Sequence, residues 1–370
     1  MYPHRLKKFW ESTSMNDSIK RFCVGKDITV ADAMQSINSG SKGILFVTDV
    51  DDKLIGCVTD GDIRRWLLKT ADFNASISRF MSIAPKYLRR GQAKEARQFM
   101  LENSITAVPI VDREKKIIDI IYLNELPGSG RIRSSALKTT PVVIMAGGKG
   151  TRLYPYTKIL PKPLIPVGDI PILERIINRF CEAGAQEFFI SVNYKRNMIK
   201  SYFGEDEHPY AIEYIDEDIP LGTCGSIRLI QKQFDKPFIV TNCDTLIDVD
   251  FGDLMSYHLS SQNLITVVAA LKNTTIPYGV FEIGENGTIE NIKEKPVISH
   301  LINTGMYVVN PELIPLIPEN IVFHMPDLLE KVRQQNGKIG LFPVNEDAFL
   351  DMGEFAEMKR MEEKLRLVEG

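Results

Sequence analysis

The sequence predicts an α/β protein in two parts, a three-layer domain with a mostly parallel sheet preceded by a smaller α/β unit. Three observations carry this. At 370 residues the chain is longer than one hydrophobic core normally organises. The stretch PGSGRIRSSALKTT at 127–140 has no apolar period and reads as a linker. On both sides of it, short apolar runs alternate with helical periods. The expected organisation is a tail over 1–15, a repeated unit over 16–126, the linker, and the larger domain over 141–370.

Before the linker one pattern occurs twice. Helix-like ITVADAMQSINSG (28–40) leads into GILFVTD (43–49), a turn at Asp51 and Asp52, then KLIGCVTDGDIRRWLL (53–68). Helix-like AKEARQFMLENS (93–104) leads into ITAVPIVD (105–112), a charged turn, then KIIDIIYLNEL (116–126). Such repetition predicts two similar units packed on each other. After the linker, PVVIMA (141–146), EFFISVN (187–193), PFIVTN (237–242) and LITVVAAL (264–271) read as buried strands. PILERIINRFCEAG (171–184) places Leu173, Ile176, Ile177 and Phe180 on one helical face and stops at Gly184.

Composition excludes several classes. A net charge of −3 argues against a chain held mainly by nucleic acid or an anionic membrane. The five cysteines and five histidines are dispersed without metal-type spacing, so reduced thiols in a cytoplasmic protein are expected. MYPHRLKKFWESTSMND at the start is basic but lacks the apolar run of a signal peptide. No run of about 18 apolar residues predicts a membrane span.

The chemistry concentrates in GGKGTRLYPYTKILPKPLIPVG, residues 147–168, directly after the first strand of the larger domain. Open sheets place their ligand crevice there. Gly147, Gly148 and Gly150 let the backbone N–H groups approach an anion closely. Arg152 offers a fork of donors, Lys162 a compact charge, and Pro155, Pro161, Pro163 and Pro166 stiffen the segment. The spacing is neither a Walker A loop nor a dinucleotide GxGxxG.

This segment resembles the signature of the sugar-phosphate nucleotidyltransferases, GGxGTRLxPxTxxxPKPLxPV, at every fixed position. The resemblance runs from about Pro141 to Gly370 and implies a Rossmann-like catalytic domain. It also implies transfer of a nucleoside monophosphate from a triphosphate to a sugar 1-phosphate, releasing pyrophosphate with the aid of Mg²⁺. In that family the residues matching Arg152 and Lys162 are catalytic, and Ala146, Gly147, Gly148, Gly150, Thr151 and Asn193 would surround the nucleotide. LGTCGSI (221–227) resembles the LGTAGS motif, adding Gly222 and Thr223 to that side, with Ser226 opening a helix. Asp244, in NCD after a buried strand, and Asp351, in FLDMGEF, match the metal carboxylates. Gly279, Glu294, Lys295 and Asn303 match the sugar-phosphate side.

GCVTDGDIRRWL resembles a CBS motif, whose paired repeats commonly bind adenine nucleotides and associate into homo-oligomers. The matching residues are Thr59 and Asp62, while the second repeat has Tyr122 and Glu125 where these would fall. The resemblance therefore implies one regulatory half-site; a pair kept only for assembly is the alternative. A CBS pair ahead of the transferase resembles bacterial enzymes making GDP-hexoses, such as GDP-glucosamine or GDP-mannose, which points to GTP. Uridylyl-, thymidylyl- and cytidylyltransferases share the fold, and a catalytically dead sensor is the alternative of another class. Intact Arg152, Lys162, Asp244 and Asp351 speak against the last. No hexapeptide repeat supports an appended acyltransferase.

Overall fold

The computed structural model describes residues 17–40, 43–103, 105–123, 135–204, 207–353, 357–359 and 361–363. The chain divides into two compact units, residues 1–132 and 133–370. Most of the expected linker, the tail over 1–15, Glu125 and most of the last seventeen residues lie outside the described residues.

In the first unit, β1 (Cys23–Gly25) runs parallel to β2 (Ile44–Thr48), which pairs antiparallel with β3 (Leu54–Thr59). The second repeat copies this: β4 (Leu88–Arg89) is parallel to β5 (Ala107–Val111), and β6 (Ile117–Tyr122) closes antiparallel. β2 and β5 are buried along nearly their whole length while β3 alternates, and the two copies share a core in which Phe46 and Leu54 meet Val111, Ile117 and Tyr122. Thr59 and Asp62 begin the helix Asp60–Thr70 as a capping box, Thr59 Oγ1 donating to Asp62 Oδ2 at 2.7 Å. The second helix is shorter than expected, a 3₁₀ turn at Arg90–Glu95 leading into Ala96–Glu102.

The second unit is built on a seven-stranded sheet. Its elements in chain order are β7 (Val142–Met145), β8 (Pro166–Val167), β9 (Ile170–Pro171), β10 (Glu187–Val192), β11 (Ala211–Asp216) and β12 (Phe238–Asn242). They continue with β13 (Thr245–Ile247), β14 (Ile265–Thr275), β15 (Val280–Ile283), β16 (Ile289–Lys293), β17 (Val297–Val309), β18 (Ile339–Val344) and β19 (Phe349–Asp351). The large sheet has the order β11-β10-β7-β12-β17-β14-β18, and only β17 runs antiparallel to its neighbours.

Burial on both faces explains why β7 is continuously apolar. Val142 and Ile144 enter one core and Val143 and Met145 the other. The first core is roofed by the helix Ile172–Glu182, whose Leu173, Ile176, Ile177 and Phe180 are buried as their spacing requires. That helix ends where Ala185 N–H reaches the Phe180 carbonyl at 3.0 Å and Gly184 takes φ +94°. The second core is roofed by the helix Met325–Gln334 through Met325, Leu328 and Val332. Each such side chain contributes about 1.5–3 kcal/mol. The result is three layers.

One polar chain crosses this packing. His258 is 1% exposed and bridges Thr266 Oγ1 at 2.8 Å and Asn310 Oδ1 at 2.9 Å. Burial holds its imidazole below the ordinary 6.5, against a smaller upward pull from Asn310. Unfolding therefore takes up a proton at acid pH, so stability is full above about 6.5 and falls as pH drops below it. Urea unfolding from pH 8 to 5 is expected to show this decline in the wild type. A shallower decline is expected in His258→Gln.

Candidate active site

Four of the parallel strands, β7, β10, β11 and β12, deliver their C-terminal ends to one edge. Ala146–Gly150 follow β7, Asn193 follows β10, Glu217 follows β11, and Asp244 stands just beyond β12. The loop after β7 is tied down from several sides. Leu153 N–H and Thr157 Oγ1 donate to the Gly150 carbonyl at 3.0 and 2.9 Å. Tyr194 Oη donates to the Thr157 carbonyl at 3.0 Å, and Lys195 Nζ to the Lys158 and Ile159 carbonyls at 2.7 and 2.6 Å. Ala146 is buried, whereas Gly148 and Thr151 are open.

Lys162 is buried in a short 3₁₀ turn and pairs with Asp244. Asp351 comes from more than a hundred residues later, yet β19 pairs with β13 so that Asp351 faces Thr245, the neighbour of Asp244. Met352 N–H donates to the Asp244 carbonyl at 2.8 Å and locks this register. Burial pushes the Asp351 carboxyl up and the Asp244 charge pushes it further, against Lys162, Arg152 and the Gly353 N–H. Two carboxylates and two cations thus meet in a partly desolvated setting, where burial is the larger influence on Asp351.

The segment LGTCGSI is clamped by a stretch a hundred residues away. Phe323 N–H donates to the Leu221 carbonyl at 2.9 Å, and Cys224 and Gly225 N–H both reach the Phe323 carbonyl at 3.1 Å. Met325 N–H donates to Thr223 Oγ1 at 3.1 Å, and His324 Nδ1 accepts from Thr223 N–H at 3.4 Å. Gly222 takes φ +83°, and a Cβ there would stand 2.6 Å from the Phe323 carbonyl oxygen. Ser226 does not open a helix as expected. Cys224 precedes the five-residue 3₁₀ turn Gly225–Leu229, and Ser226 is buried within it against Met145. The tight Phe323 contacts leave room only for a turn. The Cys224 thiol is pushed up to about 12, chiefly by burial, so it packs rather than reacts.

A cavity of about 320 Å³ gathers Arg152, Thr223, Asp244, Asn303 and Asp351 from the expected residues. It also takes in Asn242, Thr245, Tyr307, His324 and Phe349, which the sequence reading did not single out. Asn303 is oriented by donating to Tyr307 Oη at 2.6 Å and accepting from Gly305 N–H at 3.0 Å. Gly279 and Glu294 adjoin one another, but Glu294 and Lys295 are exposed beside the β15–β16 hairpin and do not line this cavity. Two carboxylates lining one cavity fit a hard cation such as Mg²⁺, which takes one or two protein carboxylates and completes its shell with water and phosphates. Among the described residues no group of three acidic, His or Cys side chains forms a cage.

Gly222→Ala must therefore move Phe323 or the loop, at roughly 1–2 kcal/mol for the backbone conformation alone. Thermal unfolding is expected to show a clear loss of stability in Gly222→Ala. Gly148→Ala, with nothing within 4 Å of its Cβ position, is expected to melt like the wild type.

Comparison with known proteins follows the same division. The nucleotidyl transferase family model matches residues 141–364, and the CBS domain model residues 15–69. The mannose-1-phosphate guanyltransferase of Kluyveromyces lactis is 36% identical over 186 residues, covering 47% of this chain and 51% of that protein. The Candida albicans mannose-1-phosphate guanyltransferase is 35% identical over 187 residues, with the same coverage of 47% and 51%. The chain spans about half the length of these curated relatives. The crystal structure of HddC from Yersinia pseudotuberculosis aligns with a TM-score of 0.48 and 26% identity over 61% of this chain and 99% of that one. Over the larger part of its length, then, the chain belongs to the nucleotidyl transferase family, with a CBS domain preceding the transferase in sequence.

Proposed function

We propose that this protein transfers GMP from GTP to a hexose 1-phosphate, forming a GDP-hexose such as GDP-mannose or GDP-glucosamine and releasing pyrophosphate. The observation that carries the reading is the convergence of Arg152, Asp244 and Asp351 on one cavity, with Lys162 paired behind Asp244. A sugar-phosphate oxygen attacks the α-phosphorus in line as the bond to the β-phosphate oxygen breaks. The attacking oxygen is already anionic at neutral pH, so no general base is needed, and the barrier lies in bringing two anions together. Asp244 and Asp351 would hold Mg²⁺, which when bound supplies positive charge to the phosphates. Arg152 takes up charge on the departing pyrophosphate, and Lys162, buried and paired with Asp244, keeps that carboxylate fixed. The loop Ala146–Thr151, Asn193, Gly222 and Thr223 would hold the nucleotide; Asn303, Gly279, Glu294 and Lys295 the sugar phosphate.

Guanine is favoured by Glu217 as well as by the relatives' activity. Its carboxylate is 3% exposed, accepts from Ser191 Oγ and from Leu221 N–H at 2.9 Å, and abuts Gly147, where a Cβ would stand 3.0 Å away. A carboxylate only accepts, and guanine alone among the bases offers adjacent N1–H and N2–H donors on its pairing edge. For the CBS domain we propose an adenine nucleotide at Thr59 and Asp62, regulating a homo-oligomeric enzyme.

Pyrophosphate release with four triphosphates against mannose, glucosamine and glucose 1-phosphates tests this. GTP is expected to be the preferred donor, and Glu217→Gln to narrow that preference. Arg152→Ala and Asp244→Asn are each expected to lose roughly 10²–10³ in rate. Near wild-type release in both variants would sink the site assignment, and a UTP preference the base. AMP added to the same assay should change the rate; no response to AMP or ATP would remove the regulatory role.

A further inference from the structure

We propose that the Thr245 hydroxyl is a phosphate-binding donor of this site, a role that rests on the transfer reaction above. Thr245 is 5% exposed, and its Oγ1 has no hydrogen-bond partner among the described residues. Leaving a buried hydroxyl unpaired costs on the order of 1–3 kcal/mol, so such a group needs an explanation. Its position provides one. Thr245 stands directly opposite Asp351 in the β13–β19 ladder, and residues opposite in an antiparallel pair project to the same face. It lines the same cavity as Arg152, Asp244 and Asp351. On its other side is a small crevice of about 10 Å³ lined by Ile176, Phe180, Phe251 and Met306. The one cation there, Arg179, is held by Glu182 and Asp248. The apolar crevice offers the hydroxyl no polar side chain other than Arg179, which leaves the polar cavity as the side from which a ligand would reach it.

The chemistry of that partner follows from its surroundings. Asp244 and Asp351 accept but do not donate when ionised, so a bound phosphate has no direct hydrogen bond from either. A hydroxyl beside them can donate to a phosphate oxygen drawn in by Arg152. Thr245 thus supplies a neutral donor beside the two carboxylates.

The test uses the full chain carrying Thr245→Val, which keeps the shape and removes only the hydroxyl, and Thr245→Ser, which restores it. Pyrophosphate release is measured with GTP and mannose 1-phosphate, alongside thermal melting with and without inorganic pyrophosphate or mannose 1-phosphate. Thr245→Val is expected to melt at or above the wild-type temperature, because an unpaired hydroxyl is gone. Its kcat/KM should fall about 10- to 100-fold, the scale of a hydrogen bond to a charged group. Thr245→Ser should recover most of the loss. A raised KM for mannose 1-phosphate assigns the contact to its phosphate, and a raised KM for GTP assigns it to the triphosphate. Diminished stabilisation by the matching probe in Thr245→Val upholds the contact even if turnover is absent, which would count against the transfer reading alone. Wild-type kinetics and wild-type ligand stabilisation in Thr245→Val would overturn the proposal. So would a loss of stability that Thr245→Ser fails to reverse.

Discussion

The ion pair between Lys162 and Asp244 joins the two halves of the active-site edge. Lys162 is contributed by the loop that follows β7, Asp244 by the turn that follows β12, and both are largely withdrawn from water. Removing two charges from solvent costs several kcal/mol per ion, recovered only when geometry is tightly held. The neighbours supply that constraint. Pro161 and Pro163 flank the lysine, and the β13–β19 ladder fixes the aspartate's turn through Met352. Beside the pair, Asp351 is raised chiefly by its own burial and further by the Asp244 charge, against Lys162 and Arg152. A site built this way suits the divalent cation and the phosphates that the proposed transfer would bring to it.

The same pair explains why so much chemistry can sit on a sheet edge with no nucleophile. The buried cysteines are held protonated, Cys243 being pushed up to about 12 mainly by burial. In the proposed reaction the cations, acceptors and backbone N–H groups that remain would position two anions and spread their charge. Two loops do the positioning. One is stiffened by its prolines and tied by Tyr194 and Lys195. The other is clamped to Phe323, which makes Gly222 obligatory.

Much of this was legible in the sequence because it is local. Continuous apolar runs marked β7, β10, β12 and β14, since strands buried on both faces need no alternation. The loop after β7 carried its own spacing, and the two repeats announced matching sheets. Asp244 stood out at a strand end. The rest was set by contacts between distant segments. Nothing near His324 signals that it supports Thr223, because the two meet only through the fold. Glu217 lies a few residues before LGTCGSI but looked like one of several acidic residues in a polar stretch until Gly147 was found against it. Thr245 was hidden beside the more conspicuous aspartate. Ser226 misled because its helix-starting type says nothing of the burial that places it inside a 3₁₀ turn. The hairpin residues Glu294 and Lys295 share a segment with Asn303 yet stand away from its cavity.

If Lys162 and Asp244 act as one unit, a double-mutant cycle on pyrophosphate release measures that coupling most directly. Lys162→Met and Asp244→Asn would be assayed singly and together under saturating Mg²⁺. Coupled groups predict that the double variant falls little further than the worse single one, since either loss already dismantles the unit. Losses that simply multiply would mean that the two residues act independently, and would contradict it.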